Sequence, residues 1–403
     1  MSEYQILTIF AAFAFVYSIV ASRLERTPVN GALVYVAAGM LLGPQALGLV
    51  DLNVDGETIS LLAEFALAIC LFTDSSNANL AVLRRVEAAP IRLLLVGLPL
   101  TIALGLGVGM LIFDGLGFFE IALIATMLAP TDAALGKAVV TNPVVPEKVR
   151  ESLNVESGLN DGICVPVILF FIALAAGSSE VSGWLVLKLP VEVIGIGAVV
   201  GLLLAVAGGL ALRTCASRGW VAGTWLQLPI VALALLCFSL AQWLGGSGFI
   251  ACFVAGLTFG GLTNSHKAEF LESAEGTGDA LALLTWFTFG TVALGLLFEH
   301  FSWQAVIYAV LSLTVVRMLP VYISLFGKHL QIDTLLFIGW FGPRGLASIV
   351  FVVMVAAEHL AGNDTILTTV AWTIVLSVVA HGLTANVLAK RYGARVDQRG
   401  GLT

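Results

Sequence analysis

The sequence predicts an all-α polytopic membrane protein of 13 transmembrane helices, built as inverted six-helix repeats with two discontinuous helices, spans 5 and 12. Three observations predict it. The chain has 403 residues, 59% of them hydrophobic and 11% charged, too few charges for a water-facing surface of that size. Its apolar runs reach the roughly 20 residues that a bilayer crossing needs. Two of those runs carry a proline, flanked by polar or small residues, at matching places.

Thirteen runs emerge, at 4–22, 31–49, 58–74, 91–113, 119–140, 151–176, 188–212, 226–244, 248–263, 278–299, 303–326, 333–358 and 364–390. The run at 248–263 is short, and the one at 58–74 is the most polar. With the N-terminus outside, the inner loops carry Arg23, Arg26, Arg84, Arg85, Arg92, Lys137, Lys148, Arg150, Arg213, Arg218, Lys267, Lys328, Lys390, Arg391, Arg395 and Arg399, sixteen of the 19 basic residues. The outer loops carry Lys188, and Arg317 and Arg344 fall inside spans. This is the positive-inside pattern, so the N-terminus is expected outside and the C-terminus in the cytoplasm of a cell (inner) membrane. The chain opens on an apolar run with no basic leader and no cleavage site, so a retained first span is expected. The net charge of −7 gives no basic footprint for nucleic acid. The five cysteines form no CxxC pair and read as small core residues.

If spans 1–6 and 8–13 are repeats joined by span 7, corresponding spans lie seven apart and run in opposite directions, as in many secondary transporters. Span 5 carries Ala129-Pro130-Thr131-Asp132 and span 12 carries Gly342-Pro343-Arg344-Gly345. Proline removes a backbone donor and clashes with the preceding turn, so each helix should break there. Irregular backbone at membrane depth is tolerated where it is buried or lines a cavity. Either motif alone would read as an ordinary kink. Two in register, each with an ionisable residue, point to a site.

An ionisable group at mid-bilayer is costly and therefore a functional candidate. The candidates are Glu64, Asp74, Asp132, Glu156, Asp161, Arg317 and Arg344. In span 6, Glu156 and Asn160 are four residues apart, as are Ser157 and Asp161, which makes one polar stripe. Carboxylate, hydroxyl and amide oxygens are hard ligands suited to an alkali cation, and Thr131 and Asp132 could supply the facing half. Burial favours the neutral form of a carboxylate, so such a group holds either a proton or a cation. A carrier that changes face only when its site is neutralised would then exchange one for the other. Glu156 is the expected partner of Arg344, tying spans 6 and 12. Asp74, at the inner end of span 3, is either a helix-end residue or part of the ion path. His266, His329 and His359 fall in loops, His300 ends span 10, and His381 in span 13 is a candidate lining residue. No HExxH, G-x-S-x-G or GxGD motif occurs, so an enzyme is not expected. A sodium-coupled organic-anion symporter could also use two broken helices, but the Asn160-Asp161 pair argues against it.

The Thr131-Asp132 pair, the Glu156-Ser157-x-x-Asn160-Asp161 run and the Arg344-Gly345 pair resemble the sodium/proton exchanger branch of the cation–proton antiporter superfamily, the NhaP-like proteins and their animal relatives. The resemblance covers nearly the whole chain. It implies antiport of Na⁺ or Li⁺ for H⁺, with no cofactor, or K⁺/H⁺ antiport by the same fold. It implies that Asp161 binds ion and proton, with Asp132, Thr131 and Ser157 as Na⁺ co-ligands and Asn160 beside them. Glu156 and Arg344 correspond to the structural ion pair. Asn160 stands where electrogenic relatives carry a second aspartate, which implies electroneutral exchange. The resemblance also implies a homodimer in the lipid bilayer. Its dimerisation domain would comprise residues 1–90 and 213–302 and its transport core residues 91–176 and 303–390, with a linker helix at 177–212 and a short cytoplasmic tail at 391–403, too short for a regulatory domain. The chain departs from many relatives in having Ala133 after Asp132, Pro130 before the pair, Asp74 near a span-3 glutamate position, and Gly158 in place of leucine.

Overall fold

The computed structural model describes residues 3–24, 27, 29–50, 56–77, 89–132, 135–176, 183–221, 225, 228–263, 267–328 and 330–398. Arg26, Arg84, Arg85, Ala133, His266, His329 and Arg399 lie outside them. The regular elements among the described residues are all helices, with no strand among them.

In chain order the helices are α1 (Glu3–Leu24), α2 (Gly31–Leu42), α3 (Gly56–Asn77), α4 (Ala89–Ile112), α5 (Phe118–Met127), α6 (Lys137–Val140), α7 (Glu147–Ala176), α8 (Gly183–Ser217), α9 (Leu228–Trp243), α10 (Gly248–Leu262), α11 (Lys267–Phe298), α12 (Trp303–Ser324), α13 (Ile332–Trp340), α14 (Leu346–Ala357) and α15 (Asn363–Gln398). Among the described residues α1, α4, α7, α8, α11, α12 and α15 are long and apolar enough to cross a membrane, and α2, α5, α9, α10 and α14 are apolar but shorter. The protein is thus an all-helical, multi-pass membrane protein.

Local chemistry sets several ends. The Asn30 side chain caps α2 by accepting the Leu33 N–H at 2.9 Å, and the Ser247 hydroxyl caps α10 through the Ile250 N–H. In α4, residues Leu93–Gly97 form a π segment just before Pro99, where the missing proline N–H makes a wider turn the natural accommodation. The Glu120 carboxylate accepts N–H bonds from Gly117 at 2.7 Å and Gly362 at 2.8 Å, so it joins the start of α5 to the turn before α15.

The run at 119–140 is interrupted between α5 and α6, and the run at 333–358 between α13 and α14. Both breaks fall on the proline motifs. The bounds differ elsewhere. α11 begins at Lys267 rather than near 278, and α15 continues to Gln398, so residues 391–398 are helix rather than tail. Hydropathy marks where a helix is apolar. The polar continuation keeps the same backbone hydrogen bonds and leaves no hydropathy signal.

The helices fall into two packed groups. α2, α3 and α8–α11 pack on one another, as do α4, α5, α7 and α12–α15. The groups meet where α7 and α14 lie against α3, where α7 also touches α8 and α10, and where α15 lies against α11 and α2 and α14 against α11. α3 and α10 approach closely because Gly256 and Gly260 of α10 face the Phe72 and Ser76 carbonyls, 2.3 Å from where each Cβ would sit.

Candidate functional site

The two breaks cross. The Asp132 N–H donates to the Pro343 carbonyl at 2.8 Å. The Asp132 carboxylate accepts the Leu346 N–H at 2.8 Å on Oδ2 and the Leu135 N–H at 3.0 Å on Oδ1. It therefore sits at the start of α14, where the helix dipole favours a negative charge. Gly345 is required here: a Cβ would lie 1.7 Å from Asp132 Oδ2.

Arg344 does the opposite work. Its Nη1 donates to the carbonyls of Ala129, Pro130 and Gly342 at 3.2, 3.1 and 3.2 Å. These carbonyls follow the C-terminal ends of α5 and α13, where a cation is favoured. Its backbone N–H donates to Ser377 Oγ of α15 at 2.7 Å. The side chain is fully buried, and its Nε and Nη2 have no hydrogen-bond partner.

The expected pairing of Glu156 with Arg344 is corrected. Glu156 forms a bidentate pair with Arg317 of α12, at 2.5 and 2.9 Å, and both residues are buried. The reason lies in the second break. Gly342 leaves room for the Arg317 guanidinium, which passes where a Cβ at 342 would be 2.3 Å from its Nε. Arg317 thus meets the carboxylate with a planar fork, while Arg344 is engaged by backbone carbonyls. Arg317, which had no assigned partner in the sequence, finds it in α7.

The polar stripe of α7 meets the first break as expected. Thr131 Oγ1 and Ser157 Oγ share a hydrogen bond of 2.9 Å, and Asn160 Nδ2 donates to Thr131 Oγ1 at 2.7 Å. These three residues are buried. Two acceptors are left over: Asn160 Oδ1 and Asp161 Oδ1 are buried without a hydrogen-bond partner. Asp161 lines a cavity of about 230 Å³ together with Asp74, Asp132, Asn154, Glu275 and Asp279. Among the described residues no lysine or arginine lines it.

Glu275 and Asp279 were not singled out in the sequence. They stand four residues apart on α11, Glu275 ahead of the apolar run at 278–299 and Asp279 just inside its start, and that spacing is the signal that could have found them. Glu275 also accepts a hydrogen bond from Asn77 of α3 at 2.6 Å. Asp74, left open between two roles, faces the same cavity as Asp161. Cys70 lines it too and is only half-buried, whereas Cys164, Cys237 and Cys252 are buried as expected. His381 does not line this cavity. It is buried in α15 and bonded to Ser377 and Trp340.

Similarities to known proteins agree with this architecture. The chain is 25% identical over 367 residues to the "K(+)/H(+) antiporter NhaP2" of Shewanella oneidensis, covering 89% of this chain and 62% of that protein. It is 26% identical over 398 residues to the "K(+)/H(+) antiporter NhaP" of Alkalimonas amylolytica, covering 96% of this chain and 67% of that protein. A "Na(+)/H(+) antiporter" of Schizosaccharomyces pombe is 27% identical over 317 residues, covering 69% and 66%. The chain therefore spans about two thirds of the length of these relatives. In fold it resembles the sodium proton antiporter MjNhaP1 of Methanocaldococcus jannaschii, with a TM-score of 0.77 over 95% of this chain and 100% of that chain, at 20% identity. The family model described as "Sodium/hydrogen exchanger, transmembrane" matches residues 10–391, and with nearly its whole length inside that match the chain belongs to the sodium/hydrogen exchanger family, a family of transporters rather than enzymes.

Proposed function

We propose that this chain is a secondary antiporter that exchanges Na⁺ or Li⁺ for H⁺ by alternating access, the two competing for Asp161. The observation that carries this reading is the unpartnered Asp161 Oδ1 beside an acidic cavity. The neighbouring groups are already engaged: Asp132 holds backbone N–H groups, and Glu156 holds Arg317. Asp161 is left to take an incoming ion, with Thr131, Ser157 and Asp132 close by in the fold as co-ligands.

Charge balance supports one-for-one exchange. The residues that meet at the breaks include the carboxylates of Asp132, Glu156 and Asp161 and the guanidinium groups of Arg317 and Arg344, of which Glu156 and Arg317 are paired directly. Counted over these five residues alone, apart from Asp74, Glu275 and Asp279 on the cavity wall, one negative charge is in excess, and one proton or one monovalent cation removes it. A neutral core crosses a low-dielectric barrier at far lower cost than a charged one. Asn160 in place of a second carboxylate fits the same count.

The wider reading follows the charge pattern of the loops: 13 spans, N-terminus outside, in the cell membrane. The cavity is lined by Asn77, Thr141, Asn154 and Glu275, from helix ends that this topology assigns to the cytoplasm, so it would be the inner access path. In this reading α4, α5, α7 and α12–α15, which pack on one another, are the transport core, α1–α3 and α9–α11 are the dimerisation domain and α8 is the linker, with two copies forming a homodimer.

A second reading, K⁺/H⁺ antiport, is favoured by the relatives named for potassium. The test is proton movement in proteoliposomes on adding Na⁺, Li⁺ or K⁺. Proton movement driven by Na⁺ and Li⁺, insensitive to an imposed voltage, is expected. Asp161→Ala should abolish it and leave the thermal midpoint unchanged. Exchange retained in that variant would remove Asp161 from the mechanism, and a response to K⁺ alone would change the substrate.

A further inference from the structure

We infer that His381 and Ser377 are positioning residues that hold the second break at a fixed width and thereby keep Asp132 aligned for cation binding, an inference that rests on the antiport reading above. Ser377, His381 and Thr384 stand at i, i+4 and i+7 on α15, one polar stripe facing the break. Ser377 and His381 are both buried. Each end of the gap between α13 and α14 is tied to this stripe. Trp340, the last residue of α13, has its carbonyl 2.9 Å from His381 Nε2, and its indole N–H donates to Thr384 Oγ1 at 3.1 Å. Arg344, two residues before α14, donates its backbone N–H to Ser377 Oγ at 2.7 Å. One stretch of two helical turns therefore sets the distance across the break.

The proton arrangement follows from what each partner can do. The Trp340 carbonyl only accepts, so His381 Nε2 carries a proton. His381 Nδ1 lies 3.2 Å from Ser377 Oγ and 2.9 Å from the Ser377 carbonyl. A neutral ring accepts the serine hydroxyl proton, and a doubly protonated ring donates to the carbonyl. In both states Ser377 Oγ still accepts from Arg344. The clamp does not depend on the charge of the histidine.

The clamp reaches the site through backbone. The clamped segment offers the Pro343 carbonyl to the Asp132 N–H, and Leu346, just beyond it, donates to Asp132 Oδ2. Widening the gap strains both contacts. It also leaves the Arg344 N–H or the Trp340 carbonyl without its hydrogen-bond partner at membrane depth.

The test uses the full chain, with amide hydrogen exchange across residues 340–346 and cation-dependent proton movement at fixed pH. In Ser377→Ala and His381→Ala the segment should exchange faster. The half-saturating cation concentration should rise about tenfold, with the maximal rate within about twofold, as expected when a buried hydrogen bond is lost. His381→Gln, which keeps a donor and an acceptor, should restore both readouts. Unchanged exchange of the segment, unchanged half-saturation, or His381→Gln as impaired as His381→Ala would overturn the inference. If His381→Ala does not fold, Ser377→Ala decides by the same readouts. If the wild-type chain moves no protons with Na⁺, Li⁺ or K⁺, the antiport reading falls, and the hydrogen exchange still decides the clamp.

Discussion

The two helix breaks are alike in backbone and opposite in chemistry. Each interrupts a helix with a proline motif, and each exposes backbone groups that no helix satisfies. The first break contributes Asp132, which accepts the Leu346 N–H at the edge of the second. The second contributes Arg344, which donates to the Ala129 and Pro130 carbonyls of the first. Each break thus supplies the side chain that answers the other's unpaired ends. Two discontinuous helices are stable at membrane depth as a pair, where either alone would leave polar backbone in hydrocarbon.

The sharpest way to break this reciprocity is Gly345→Ala. Its Cβ would fall 1.7 Å from Asp132 Oδ2, so either the carboxylate leaves the start of α14 or the crossing opens. Loss of exchange and a thermal midpoint lowered by roughly 5–10 °C are expected. Wild-type stability would mean that Asp132 is not needed at the crossing.

Next in size is the question of which arginine belongs to Glu156. Glu156→Gln or Arg317→Met alone strands a buried charge and should cost about 3–5 kcal/mol. The double variant should recover much of that loss, whereas Glu156→Gln combined with Arg344→Met should be close to additive. Thermal unfolding of the purified variants gives the cycle. Strong coupling to Arg344 and none to Arg317 would reverse the assignment.

Asp132→Asn should be the mildest of the set. Its amide keeps one oxygen for one of the two N–H groups and loses the charge at the helix start, a cost of about 1–2 kcal/mol. Exchange should fall further than stability does, because a co-ligand loses its charge. Equal losses would argue for a purely structural Asp132.

The breaks were legible because two proline motifs with polar or small neighbours fall seven spans apart, each with an ionisable residue; proline alone is no such signal, since Pro166 and Pro320 stay inside helices. The meeting of Thr131, Ser157 and Asn160 was legible because helical spacing puts Ser157 and Asn160 on adjoining positions of one face and the polar break has to face them. Which arginine takes Glu156 was not. Both guanidinium groups lie inside apolar runs, and the choice turns on how α12 is rotated and on the space above Gly342, neither of which the spacing of residues reports. Glu275 and Asp279 were missed for another reason. Glu275 belongs to the polar start of α11, where hydropathy reads loop and the backbone continues as helix, and Asp279 stands in the first turn of the apolar run, where a carboxylate passes for a helix-end residue. The clamp on the second break was half legible: the histidine stood out, while its work is done by ring nitrogens facing two carbonyls.

Cys70 gives the cavity a built-in chemical reporter. It is a half-buried thiol on the wall beside Asp74 and Asp161, and Cys215 is the other half-buried cysteine, outside that wall. With Cys215 replaced by serine, a membrane-impermeant maleimide would label Cys70 from whichever face the cavity opens to. The rate of labelling would read occupancy directly: a cation seated near Asp161 slows it, and a swing of the core to the opposite face silences it. A single native sulfur would then follow the transport cycle without a transported ion having to be counted.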